Sequence, residues 1–137
     1  MIEETIVPLL LAGELKEIRG KTRFQKLIYI IQRKAQSKNI KGLSFNYEAY
    51  LYGPFSSQLA STIDNLVSRN NLNEREDITG GGYTIFVYEL TPQGTDTVER
   101  VRKGMLIDSE LVQTISKVAE EYGPLPLQDL VAAAKSM

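Results

Sequence analysis

The segment that most constrains this chain lies between residues 22 and 37. Phe24, Leu27, Ile28, Ile31 and Ala35 recur at the i, i+3, i+4, i+7 spacing that lines one face of an α-helix. At roughly 100° per residue, Arg23, Lys26, Arg33 and Lys34 fall on an adjacent arc, roughly 120° away. A helix so divided has to bury its apolar stripe against other elements. Its basic arc belongs to a longer block: residues 16–41 carry Lys16, Arg19, Lys21, Arg23, Lys26, Arg33, Lys34, Lys38 and Lys41 against Glu17 alone, in a chain whose net charge is −1. Segregation of this kind suggests a surface facing a polyanion, with a solvated lysine-rich helix as the plain alternative.

The flanking elements follow from the same periodicities. Ile6, Leu9, Leu10 and Gly13 share a helical face, and Pro8 predicts that this first helix starts near Val7 or kinks there. Gly20 separates it from the second helix. Residues 45–52 alternate as a strand, with a helical turn as the alternative, and Gly53-Pro54 ends them. A third helix is predicted over 57–69, capped by Ser56 or Ser57, with Leu59, Ile63, Leu66 and Val67 inward. Two strands, 72–78 and 83–90, flank the flexible tip Thr79-Gly80-Gly81-Gly82. Thr91-Pro92 opens a fourth helix ending at Gly104, and Asp108 caps a fifth. Gly123-Pro124 precedes a last short helix carrying Leu127, Leu130, Val131 and Ala134. The expected core unites Phe24, Leu27, Ile28, Ile31, Leu59, Ile63, Leu66, Ile85 and Leu90.

Composition narrows the chemistry. The 137 residues fit one domain and include neither cysteine nor histidine. Disulfides, thiolate metal sites, imidazole bases and nearly all zinc chemistry are thereby excluded. The carboxylates form no recurring pair suited to acid–base work, and Gly80–Gly82 lacks the Lys-Ser/Thr and helix of a phosphate loop. No catalytic residue, metal or cofactor is assigned. The apolar runs are too short to span a bilayer and the start carries no positive charge, so the default expectation is a cytoplasmic, non-membrane protein.

The element order is helix, helix, strand-like segment, helix, strand, strand, then helices. This predicts a mostly helical α+β chain: a winged helix-turn-helix of residues 1–104, built from a three-helix core and a β-hairpin wing, with a helical extension over 105–137. Leu90-Thr91-Pro92-Gln93-Gly94 resembles the L-T-x-x-G that closes the wing in MarR- and PadR-type winged-helix transcriptional regulators. The run Lys26-Leu27-Ile28-Tyr29-Ile30-Ile31, followed by Tyr52-Gly53-Pro54-Phe55-Ser56, resembles a narrower group, the YwgA-like proteins and Panacea-domain antitoxins. The resemblance covers residues 20–100. It implies either a DNA-binding transcriptional regulator or an antitoxin-like module that binds a protein partner.

On the DNA reading, Ser57, Gln58, Ser61 and Asn65, on the polar face of the third helix, are the base-reading positions. Arg19, Lys21, Arg23, Lys26, Arg33, Arg69 and Arg75 are the phosphate contacts. The wing speaks against groove entry, because Glu74, Glu76 and Asp77 surround its one base, Arg75. Tyr47, Tyr50, Tyr52 and Phe55 are read as packing the junction between the second and third helices, ahead of stacking on single-stranded nucleic acid. The two apolar stripes of residues 105–137 suggest a homodimer, with folding back onto their own domain as the alternative.

Overall fold

The computed structural model describes residues 2–137 and has an α+β architecture. The elements are α1 (Ile2–Leu15), β1 (Ile18–Arg19), α2 (Lys21–Ser37), β2 (Glu48–Tyr50), β3 (Gly53–Phe55), α3 (Ser57–Ser68), β4 (Leu72–Ile78), β5 (Thr84–Leu90), α4 (Pro92–Gly104), α5 (Ser109–Tyr122) and α6 (Leu127–Lys135). An antiparallel sheet has the order β1-β5-β4, with Ile18 opposite Tyr88 and Leu72 opposite Leu90. β2 and β3 form a separate antiparallel hairpin.

Of the two alternatives for the first helix, a start near Val7 is not seen. The helix begins at Ile2 and runs through Pro8, whose missing N–H leaves the Glu4 carbonyl without its helical donor. All of Ile6, Val7, Pro8, Leu9, Leu10, Leu11 and Ala12 are buried. A helix apolar all round belongs in the interior, and α1 packs on α3, α4, α5 and β5.

The C-terminal helices close the other side of the core. Leu111, Ile115, Val118 and Ala119 of α5, and Leu130 and Ala134 of α6, are buried with residues of α1 and α2. Most of the two stripes on which a homodimer was expected is therefore covered by its own chain, with Leu127 left exposed and Tyr122 and Val131 partly buried. Ile85 and Leu90 are only half-buried, whereas the other expected core positions are buried. β5 is an inner strand whose outer half is open, so its apolar residues line a cleft as well as the core.

Two glutamines of α2 fix the connection to α3. Gln32 donates to the Phe45 carbonyl (3.0 Å) and accepts from the Phe45 N–H (2.9 Å). Two turns earlier, Gln25 donates to the Ser56 carbonyl and accepts from the Ser56 N–H, both at 2.9 Å. Each primary amide thus acts as a short stretch of strand, satisfying both backbone groups of one buried residue. Between these clamps, residues 45–52 do not form the single strand expected. Glu48, Ala49 and Tyr50 pair with Phe55, Pro54 and Gly53, so Gly53-Pro54 begins the return strand instead of ending the first. Gly53 has φ +91°, and a Cβ there would meet Lys135 Cγ at 3.3 Å and Lys26 Cε at 3.4 Å. Ser56 then caps α3, accepting from the Leu59 N–H at 3.1 Å.

The strand-to-helix junction after β5 is equally specific. Thr91 Oγ1 accepts from the Gly94 N–H (2.9 Å) and donates to the Asn70 carbonyl (2.6 Å). A Cβ at Gly94 would overlap the Asn71 carbonyl oxygen. The L-T-x-x-G pattern is thus a packing joint between α4 and the α3–β4 turn.

Two stability predictions follow. Gln32→Met should leave the buried Phe45 N–H and C=O unpaired, at ~1–3 kcal/mol for each group. The exposed control Gln113→Met should change stability by less than about 0.5 kcal/mol in the same urea melts. Gly94→Ala should cost ~1–3 kcal/mol by overpacking, seen as a lower denaturation midpoint at unchanged slope.

Candidate functional site

Three surfaces bear on function: the exposed face of α3, the basic block, and the two hairpins. On α3, Ser57, Gln58, Ser61 and Asn65 are all exposed, as expected for a reading face. Gln58 is partly engaged, since its Oε1 accepts from the Asn46 N–H at 3.2 Å. Among the described residues, the side chains of Ser57, Ser61 and Asn65 make no internal hydrogen bond. The helix carries one charged residue, the exposed Asp64.

The basic block is dispersed by folding. Lys26 is 2% exposed and its Nζ donates to the Pro54 carbonyl at 2.8 Å. Arg23 is half-buried, and its Nη1 donates to the Gly123 carbonyl (3.1 Å) at the C-terminal end of α5. That is the end of a helix where a cation is favoured. Burial lowers the pKa of Arg23. It also lowers that of Lys26, where the nearby Lys135 ammonium adds to the effect. Lys34 Nζ lies 5.5 Å from the centre of the Tyr122 ring. Three of the four bases on this arc of α2 are therefore engaged by other parts of the chain, and Arg33 alone of them stands exposed.

Arg19 and Arg75 are taken up by carboxylates. Arg19 bridges to Asp77 (2.9 Å) and Glu17 (3.2 Å). Arg75 lies 3.5–3.7 Å from Glu17, Asp77 and Glu89. Two cations serve three acids, so the outer face of the sheet carries no net positive charge at this cluster. Of the phosphate candidates, Lys21, Arg33 and Arg69 are exposed and outside any ion pair among the described residues. They sit at the start of α2, near its end, and after α3, and do not form one patch. Lys21 Nζ rests 4.6 Å above the Phe86 ring.

The aromatic group divides. Tyr47 packs edge-on against Tyr29 with ring centres 4.8 Å apart, as expected of a junction residue. Tyr50 and Tyr52 do not pack the junction: with Leu51 they form the tip of the β2–β3 hairpin, at 56%, 68% and 86% exposure. The sequence reading missed this tip because it ended the strand at Gly53. The signal was the Tyr-Leu-Tyr triplet ahead of a glycine able to adopt positive φ.

Two clefts flank the start of α2. One, about 750 Å³, lies between α2, β5 and the α5–α6 connection, and is lined by Glu17, Arg19, Lys21, Arg23, Ile85 and Phe86 among others. The second, about 460 Å³, is walled by Lys21, Thr22, Gln25 and Lys26 on α2 and by Tyr50, Leu51, Tyr52 and Phe55 on the hairpin. Among the described residues, no cluster of acids could hold a metal ion, and no helix is long and apolar enough to cross a membrane.

No protein-family model matches the chain, and no curated protein matches it.

The sheet-face ion cluster gives a pH prediction. The Arg19 guanidinium, with help from the Ile78 N–H, holds the Asp77 carboxyl below the usual carboxylate range. A carboxyl depressed in the folded state contributes stability at neutral pH and loses it as pH falls through its folded pKa. Arg19→Ala should therefore raise the Asp77 titration midpoint, as read by carboxyl-carbon NMR.

Proposed function

We propose that this chain is a winged-helix domain that works by binding a protein partner. The winged-helix part of the reading is supported by the order α1-β1-α2-β2-β3-α3-β4-β5, in which the small β2–β3 hairpin precedes the third helix, and by the β1-β5-β4 sheet, in which the strand between the first two helices pairs with the returning strand of the β4–β5 hairpin. On that reading β4 and β5 are the wing and α3 the recognition helix.

The observation that carries the binding assignment is the β2–β3 tip. Three consecutive large side chains, Tyr50, Leu51 and Tyr52, project at the end of a two-stranded hairpin. Contiguous exposed apolar surface marks interaction sites in soluble proteins. The cations favour the same conclusion by their engagement, since Arg23 and Lys26 are bonded to backbone carbonyls and the surface residues Arg19 and Arg75 are paired with carboxylates of the chain itself. The wing carries Glu74, Glu76, Asp77 and Glu89 against Arg75, which opposes entry into the negative minor groove.

Duplex DNA is the second reading, and α3 favours it. Ser57, Ser61 and Asn65 face solvent with unengaged side chains, and the exposed Arg69 follows them.

Fluorescence anisotropy on random-sequence duplex separates the two. The expected outcome is no saturable binding at tens of micromolar protein, at either about 50 or about 200 mM salt. Binding that weakens steeply with salt, and is lost across all sequences in Lys21→Ala/Arg69→Ala, would replace the protein-partner reading with the DNA one.

A further inference from the structure

We propose that the cleft between the start of α2 and the β2–β3 hairpin receives an acidic segment of a partner protein, anchored by one apolar side chain. The proposal rests on the protein-binding reading above and names the surface and the chemistry of the partner.

The cleft has two unlike walls. The hairpin wall is apolar, with Tyr50 and Phe55 stacked edge-to-face at 5.3 Å and Leu51 standing free at the tip. Its volume of about 460 Å³ lies within the roughly 300–1,000 Å³ typical of ligand clefts. The α2 wall supplies Lys21 and Lys26, and Lys135 passes against Gly53 beside Lys26. No carboxylate lines the cleft among the described residues. The nearest acids lie at its margins. Glu48 is within 3.4 Å of the Tyr50 hydroxyl, and Asp64 borders a smaller neighbouring cleft.

Lys26 is the central group. Its buried ammonium has a single acceptor among the described residues, the Pro54 carbonyl, although an ammonium carries three donors. Its charged neighbour, Lys135, has the same sign, and burial together with that neighbour depresses its pKa. A carboxylate brought into the cleft would relieve both conditions through a charge-assisted hydrogen bond. The apolar wall requires the same segment to bring a hydrophobic side chain. The chemistry therefore fits an acidic peptide stretch containing Leu or an aromatic residue.

A nucleic-acid strand fits less well. Stacking sites for single strands follow a continuous positive groove along the backbone. Here the neighbouring cleft beyond Lys21 offers only cations already engaged, Arg23 on the Gly123 carbonyl and Arg19 on Glu17 and Asp77, with Glu17 itself in the lining. The most exposed tip residue, Leu51, has no ring on which a base could stack.

The test is selection of a displayed random-peptide library on the full chain, with the selected peptides then measured in solution. Selected peptides should carry Asp or Glu around a Leu or aromatic residue. Their affinity should fall at least about tenfold in Leu51→Glu and in Lys21→Glu, both substitutions at exposed positions. It should fall with added salt and stay unchanged in Leu106→Glu, an exposed apolar position elsewhere. Peptides without acids, or insensitive to Leu51→Glu, would overturn the cleft assignment and leave the protein-binding reading standing. Failure to select any peptide would also overturn it, and salt-dependent duplex binding in addition would remove the reading itself. Leu51-dependent capture of oligo-dT would make the occupant a nucleic acid. Self-association abolished by Leu51→Glu would make it a second copy.

Discussion

Everything around the hairpin depends on two neutral amides. Gln25 and Gln32 lie on α2 seven residues apart, so their side chains leave the helix on nearly the same face, roughly 10 Å apart along the axis. Each closes a pair of hydrogen bonds on one buried residue, Ser56 and Phe45. The chain between those two points has little choice of path. It leaves α2 at one clamp, turns through β2 and β3, and returns at the other to start α3. A neutral amide suits this task better than a charge, because both its donor and its acceptor can be satisfied in a dry interior without leaving an ion to be stabilised.

The same helix explains why several members of the basic block are engaged within the chain. Composition places nine bases in residues 16–41, and helical geometry puts several of them on one arc. What periodicity along one helix cannot say is which arc its neighbours will cover. Here α5 ends with Gly123 beside Arg23, and Tyr122 beside Lys34. The carbonyls at a helix end accept from a guanidinium, and an aromatic face accepts an ammonium. Arg23 and Lys34 thereby become part of the seam holding the C-terminal helices, with Lys26 bonded to the hairpin instead and Arg33 left exposed.

Much of the fold was readable from local pattern. The α2 stripe, the Ser56 and Thr91 caps, the β4–β5 hairpin and the helix breaks all follow from rules acting within a few residues, and they appear where those rules place them. The misreadings share one cause, which is contact between residues far apart in sequence. β1 is two residues long and exists only through pairing with β5. α1 is surrounded on several sides, so its helix persists through Pro8 and buries faces that a one-sided pattern would leave to solvent. At the candidate site, the polar exposure of Ser57, Ser61 and Asn65 was readable because it depends on α3 alone. The fate of Arg19, Arg23, Lys26 and Arg75 was not, because each is decided by a partner supplied by another element.

Lys26 and the Tyr52-Gly53-Pro54 stretch stand 26 to 28 positions apart in the chain yet form one unit in space. Lys26 donates to the Pro54 carbonyl, its side chain passes against Gly53, and the neighbouring Gln25 clamps Ser56 two residues later. Their joint occurrence is therefore a requirement of scaffolding. A glycine is favoured where the turn takes positive φ and where two lysine side chains would crowd a Cβ. The long Lys26 side chain reaches across to donate to the Pro54 carbonyl. What such a scaffold holds up is the part of the hairpin it does not touch. Leu51 takes no part in these contacts and stands 86% exposed at the end of the turn, where it buries little apolar surface within its own chain. The rigidity of the anchor and the exposure of the tip make physical sense together, because a contact surface presented in a fixed geometry loses less conformational entropy when a partner arrives.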